Sequence, residues 1–346
     1  MNIKLTKNTL EELEEYSNGE FDFQLKEIID IIIKNDLNII GLQFPEGLKR
    51  KSIKIASCIE KFTGKSVIIS ANPCYGACDI DTSLLNTVDI LFHFGHSKFG
   101  SKTISKKVHY IECASNISIK KIVKKAIPML DGDTIGLITT VQHVHTLKEI
   151  FDILKSNGKN PIIGIGDGNI AYPGQVLGCN FSVIGSECDE YIYIGSGEFH
   201  PIGASLVSKK RVLILDPFLN EVRVANSSKI LHKRIAVISN SANATVFGIL
   251  VSTKNGQNRM DLAISLKKLA EKYGKKALIL TMDLITKEQL LQFKVDAFIN
   301  TACPRLAIDE SGRFNAPMLT PQEFEILLGE REWEDFVFDE MRDEVP

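Results

Sequence analysis

DILFHFGHS at residues 89–97, DEYIYIGSG at 189–197 and VDAFINTAC at 295–303 are three versions of one pattern. Each has an acidic residue at or next to its start, runs apolar, and ends in small or polar residues. A run that is nearly continuous in apolar residues, rather than alternating, reads as a strand buried on both faces of a parallel sheet. Working outward, similar runs lie at 38–44, 66–71 and 108–113, then at 134–140, 161–165 and 211–216, then at 235–240 and 277–282. Segments with apolar residues at three-to-four spacing lie between them, at 23–34, 147–155 and 260–273. Strand alternating with helix argues an α/β fold with parallel sheets. First strands are expected near 38, 134 and 235. A period of about 100 residues is too long for a solenoid unit, so the reading is three similar α/β domains, over residues 1–115, 116–218 and 219–346. Ligands of such sheets sit beyond the carboxyl ends of the strands. His96, Gly197 and Cys303 mark those ends.

Composition is compatible with this. The 346 residues are 44% hydrophobic and 24% charged, with a formal charge of −2. That balance excludes a globally basic nucleic-acid binder. The start of the chain is polar and carries four glutamates, with no apolar stretch of the about 7–15 residues a secretory signal needs. No apolar run approaches the ~18 residues of a membrane span. The expectation is a cytoplasmic protein without membrane contact. Its seven cysteines are then not a disulfide framework.

Cys58, Cys113 and Cys188 lie in or beside apolar helical or strand patterns and read as core residues. Cys74, Cys78, Cys179 and Cys303 lie among Gly, Pro and small residues at strand ends or loops. One candidate per repeat, at 78, 179 and 303, allows three thiolates to converge. Three thiolates on a four-iron cluster leave one iron open, and three on zinc leave one position for water. The compact C-x₃-C-x₂-C loop of radical S-adenosylmethionine enzymes is missing, since Asp81 stands at its third position. Gly164, Gly166 and Gly168 do not complete a dinucleotide fingerprint.

QFPEGL at 43–48, PCYGACD at 73–79, GHS at 95–97, GC at 178–179, YIGSGEFHPIG at 193–203, STKNGQ at 252–257, NTACPRLAID at 300–309 and PMLTPQEF at 317–324 occur in order. Together they resemble the archaeal-type family that performs the first step of diphthamide biosynthesis, the 2-(3-amino-3-carboxypropyl)histidine synthases. The resemblance runs from about residue 38 to 325. It implies three Rossmann-like domains in pseudo-threefold arrangement and a [4Fe–4S] cluster held by Cys78, Cys179 and Cys303, with Cys74 outside the set. It also implies radical transfer of the 3-amino-3-carboxypropyl group of S-adenosylmethionine to a histidine of translation elongation factor 2, an unidentified electron donor, and a homodimer. His200, Lys254, Gln257 and Arg305 are candidate contacts to S-adenosylmethionine. Arg305 offers a forked donor suited to its carboxylate. A quinolinate-synthase-like [4Fe–4S] enzyme and a non-catalytic iron–sulfur redox protein are the alternatives.

Two charge features remain. Residues 98–125 hold eight lysines and one acid, Glu112, and read as a solvated face or a docking patch for an acidic protein. Direct nucleic-acid binding is not expected, because no aromatics are interleaved. Residues 321–346 hold ten acidic and two basic residues, with apolar residues at helix-like spacing, and are expected to form a terminal amphipathic helix.

Overall fold

The computed structural model describes residue 16, residues 19–100 and residues 104–343. Its strands form three separate sheets. The first unit runs α1 (Leu25–Lys34), β1 (Ile39–Gln43), α2 (Ser52–Thr63), β2 (Ser66–Ile69), β3 (Ile90–Phe94) and β4 (Val108–Ile111). The second runs α3 (Lys120–Ala126), β5 (Thr134–Thr139), α4 (Leu147–Ser156), β6 (Asn160–Ile162), β7 (Glu190–Ile194), α5 (Phe199–Ser208), β8 (Val212–Asp216) and β9 (Glu221–Val224). The third runs α6 (Ser228–Asn240), β10 (Val246–Ser252), α7 (Met260–Lys272), β11 (Lys276–Met282), α8 (Lys287–Leu290), β12 (Ala297–Asn300), α9 (Pro304–Ile308), β13 (Met318–Leu319) and α10 (Pro321–Leu327).

The three sheets share one topology. Strand orders are β2-β1-β3-β4, β6-β5-β7-β8-β9 and β11-β10-β12-β13. In each, the first strand of the unit is flanked by the second and third, and the fourth follows the third. All pairings are parallel except β8 with β9. The central strands are buried almost end to end, as their unbroken apolar runs require.

The acidic residue that opens each third strand has a repeated task. One carboxylate oxygen of Asp89 accepts the backbone N–H groups of Asn38 and Ile39 at 2.8 and 2.9 Å. Asp189 does the same for Asp133 and Thr134 at 3.0 and 2.8 Å, and Asp296 for Thr245 and Val246, both at 2.8 Å. Each thereby ties the amino end of the third strand to that of the first. These backbone donors hold all three carboxyls below their ordinary pKa.

The third unit departs from the sequence reading. Residues 235–240 are not its first strand but the end of α6. Ile235 is solvent-exposed, while Val237 and Ile238 pack on the core around Phe247 and Phe324. Ile230 and Leu231, about two turns earlier, pack on the core of the second unit. Arg234 lies on the same helix, fully buried and paired with fully buried Glu323 at 2.5 Å. That three-to-four spacing is the helical signal, and the short β-branched run masked it. The true first strand is β10, whose last six residues are buried.

The chain's end also differs. α10 stops at Leu327, and Gly329 follows at φ +74, a conformation costly for any residue with a Cβ. Beyond a short turn at Trp333–Asp335 the chain is non-helical to residue 343. Phe336 and Phe338 are buried while Val337 between them is exposed, the alternation of extended backbone. Phe338 crosses to the second unit and meets Phe181 edge-on. Residues 344–346, and most of the polar start of the chain, lie outside the described residues.

Candidate functional site

Loops from the carboxyl ends of all three sheets meet around one cavity of ≈ 390 Å³. The loops after β1 to β8, β10 and β12 all reach it. Cys78, Cys179 and Cys303 line it together, with His96, His200, Gln257 and Arg305. The three cysteines come from unlike places in the repeat. Cys78 and Cys179 follow the second strand of their units, whereas Cys303 follows the third. The segment of the third unit equivalent to the first two, residues 283–296, contains no cysteine.

Each cysteine is held by a different device. Cys78 lies against the loop after β10, where a Cβ on Gly256 would come within 2.4 Å of Cys78 Cβ. Glycine is required there so that the loop can close on it. Gln257 Nε2 then donates to Cys78 Sγ at 3.3 Å. Lys254 does not reach the cavity. Its ammonium pairs with Asp79 at 2.6 Å, both side chains largely buried, and so joins the third unit to the residue after Cys78.

Cys179 is held by the C-terminal tail. The Met341 N–H donates to the Cys179 carbonyl at 2.6 Å, and Asn180 Nδ2 donates to the Met341 carbonyl. The N–H of Phe181 donates to Glu340, and that of Asp343 to Asp167. Cys303 sits immediately before α9, where Pro304 occupies the first turn, and Asn300 Nδ2 donates to the Cys303 carbonyl at 2.9 Å. Arg259 links these last two arrangements. It donates to the carbonyls of Thr301 and Ala302 at 2.7 and 3.0 Å, and its other face pairs with buried Asp339 of the tail at 2.7 Å.

Burial raises all three thiols. Cys303 is pushed up to about 12, Cys179 goes well above its ordinary value, and Cys78 rises although the Gln257 donor opposes it. The thiols also raise one another: Cys78 and Cys303 act on Cys179, and Cys78 acts on Cys303. Three mutually repelling, desolvated thiolates need positive charge to be stable, and bound metal provides it. Among the described residues the group whose ligand atoms all lie within 4.8 Å of one another is Cys74, His93 and His96, not the three cavity cysteines. A cluster whose ligands bind different irons suits the wider spacing better than one zinc ion does.

The rest of the wall mixes aromatic rings with two cations, Lys98 and Arg305. His200 lies parallel to Tyr193, with centroids 6.1 Å apart, and burial pushes its pKa down to about 4. The Arg305 guanidinium lies 4.2 Å from the centre of the Phe199 ring, its Nε engaged by Asp309 at 3.0 Å. His143 was not a candidate from sequence. It is 2% exposed, lines the cavity, and its Nδ1 has no partner. Its position after a first strand, in the run VQHVH at 141–145, was the available signal. Gly197 does not line the cavity, although its neighbour Ser196 does.

A family model described as "Putative diphthamide synthesis protein" matches residues 44–337. The chain belongs to the diphthamide synthesis protein family. Within it, the chain is 36% identical over 326 residues to the 2-(3-amino-3-carboxypropyl)histidine synthase of Pyrococcus horikoshii, covering 92% of this chain and 94% of that one. It is 29% identical to the Methanocaldococcus jannaschii enzyme of the same name, covering 87% of each. A crystal structure of Dph2 from Pyrococcus horikoshii superposes with a TM-score of 0.86 at 35% identity, over 92% of this chain and 94% of that one. A second crystal structure of the same protein, with a 4Fe-4S cluster, also gives 0.86 at 34% identity. The three-sheet α/β architecture of this family member is therefore that of a known enzyme.

The basic stretch is not one continuous face. Lys107 donates to the carbonyls of Leu85 and Val88, Lys120 pairs with Glu149, and Lys125 donates to the Asn220 carbonyl. Lys98 lines the cavity. Lys102 lies outside the described residues.

Proposed function

We infer that this chain is a 2-(3-amino-3-carboxypropyl)histidine synthase that performs the first step of diphthamide biosynthesis. The observation that carries the reading is the convergence of Cys78, Cys179 and Cys303, from three separate sheets, on one cavity. The relatives that share the chain nearly end to end bear that activity in their names.

Cys78, Cys179 and Cys303 are the proposed ligands of a [4Fe–4S] cluster. Three protein ligands leave one iron for a substrate, and when bound the reduced cluster supplies the electron that splits a sulfonium C–S bond. The chain's own residues position the cosubstrate, S-adenosylmethionine. Arg305, whose Nε is engaged by Asp309, is the proposed forked donor to its carboxylate. Tyr193 and neutral His200 offer aromatic surface without adding positive charge beside a sulfonium, and Phe199 backs the Arg305 guanidinium. Gln257 orients the Cys78 sulfur. Lys254 acts at one remove, by fixing Asp79 and the loop that carries Cys78.

The proposed acceptor is one histidine of translation elongation factor 2, which places the enzyme in the cytoplasm. No described helix is long and apolar enough to cross a membrane. An external electron donor and a homodimer complete the proposal, and both rest on the family resemblance. The test is anaerobic incubation of dithionite-reduced, cluster-loaded protein with elongation factor 2 and S-adenosylmethionine labelled in its methionine portion. The expected products are 5′-methylthioadenosine and label on one histidine of the factor. Release of 5′-deoxyadenosine as main product, or equal turnover by iron-free protein, overturns the reading.

A further inference from the structure

Behind the cavity wall lies a second group of metal-binding side chains. Sγ of Cys74 and ring nitrogens of His93 and His96 all fall within 4.8 Å of one another. Cys74 is 1% exposed and His93 fully buried, while His96 lines the cavity. We propose that Cys74, His93 and His96 form a second metal site, adjoining the three-cysteine cavity, that takes a zinc-like divalent ion.

The hydrogen-bond network supplies the first argument. Gln43 Nε2 donates to the Asp79 carbonyl at 2.8 Å, and its Oε1 accepts the Asp81 N–H at 3.2 Å. The amide orientation is thereby set, so Oε1 is what faces His93 Nδ1 at 2.9 Å. His93 must then carry its proton on Nδ1 and present a bare lone pair at Nε2. A ligating histidine held through its other ring N–H by a carbonyl oxygen is the usual support of a metal site. That lone pair points at His96 Nδ1, 2.9 Å away. Two nitrogens about 2.0–2.1 Å from one tetrahedral zinc sit roughly 3.3 Å apart, so the pair needs to open by only a few tenths of an ångström.

The third ligand is equally well placed. Among the described residues the Cys74 thiol has only a long contact to the Gly76 carbonyl at 3.9 Å. One sulfur and two imidazole nitrogens make a borderline-soft set that suits zinc and leaves a fourth position for water. Binding releases one proton, from Cys74, and moves the His96 proton from Nδ1 to Nε2. On the same loop Asp79 Oδ2 is buried without a partner, a negative end that a nearby cation would favour. The ion would join the loop after β2, which carries Cys78 four residues on, to the end of β3. The site thus has a structural consequence for the cluster pocket but stands without the transferase reading.

The test loads the cluster-reconstituted protein anaerobically with zinc chloride, desalts it, and measures zinc and iron by mass spectrometry. X-ray absorption at the zinc edge, blind to iron, reads the ligands. The expected result is one zinc per chain with unchanged iron, and a first shell of one sulfur at about 2.3 Å and three nitrogen or oxygen atoms at about 2.0 Å, two from the histidines and one from water. Cys74→Ser and His96→Ala should each lower retained zinc at least tenfold while iron and sulfide stay. Failure of the unmodified protein to retain zinc, full retention by both variants, or a shell of three sulfurs would each overturn the proposal. The absorption measurement on unmodified protein decides even if a variant does not fold. Transferase activity is measured separately, so failure here leaves the functional reading untouched.

Discussion

The two ends of the three sheets are built on opposite plans. At the amino ends, Asp89, Asp189 and Asp296 make the same pair of backbone hydrogen bonds three times over. At the carboxyl ends the three cysteines share no common device. Cys78 is held by a glycine approach and a glutamine, Cys179 by a crossing tail, and Cys303 by a helix start and an arginine behind it. The repeated end serves folding, because one local solution works for every unit. The divergent end serves chemistry, because three unlike loops must aim three thiols at a single point.

The sharpest way to break this contrast is to change the cysteines. Serine at 78, 179 or 303 should abolish iron and sulfide retention after anaerobic reconstitution and lower turnover by at least a hundredfold. Far-UV circular dichroism and Tm of the iron-free proteins should match those of iron-free unmodified protein. Retention of a full cluster by Cys78→Ser, with its loss in Cys74→Ser, would show that the ligand assignment is wrong.

A second test separates the tail from the sheets. Asp339→Ala removes the fully buried partner of Arg259 and leaves a largely buried guanidinium unpaired. Such a loss costs about 3 kcal/mol. Because the tail also holds the Cys179 carbonyl, iron loading should fall together with Tm. Restoring activity by supplying excess iron without restoring Tm would show the tail to be a stability element alone.

The smallest effect belongs to the repeated end. Asp189 is depressed in the folded state, mainly by the Thr134 and Asp133 N–H groups. A depressed carboxyl contributes stability above its unfolded pKa of about 3.9, and the contribution is lost as pH falls through the lower folded value. Asp189→Asn should therefore lower Tm slightly and evenly from pH 5 to 8, and the gap from unmodified protein should close below about pH 4. Cluster content should not change. A gap that widened in acid would contradict the assigned hydrogen bonds.

The α/β class and the threefold repeat were legible because they rest on local pattern: an acidic residue, an apolar run, then small residues. The separation of cysteines was legible for the same reason. Cys58 stands in one hydrophobic core and Cys188 in another, and Cys113 belongs to the first core but also borders the cavity that Cys78, Cys179 and Cys303 reach from Gly-rich sequence. Family motifs added the chemistry. What local pattern could not supply was the third unit's first strand, since a β-branched run on α6 imitates one, and the fate of the acidic C-terminus.

The remaining features came only from the tertiary structure. Gln257 and Cys78 are 179 positions apart, and Lys254 and Asp79 are 175 apart. Arg259 meets Asp339 across 80 positions, and the tail meets Asn180 across 161. No periodicity encodes such meetings. They exist because packing three sheets with their carboxyl ends inward excludes water from the loops between them, and each buried polar group must then find its partner wherever the chain happens to bring one. By itself the sequence determined which segments become strands and which cysteines leave the core. How those cysteines are held, and which second set of ligands stands beside them, was decided by the fold.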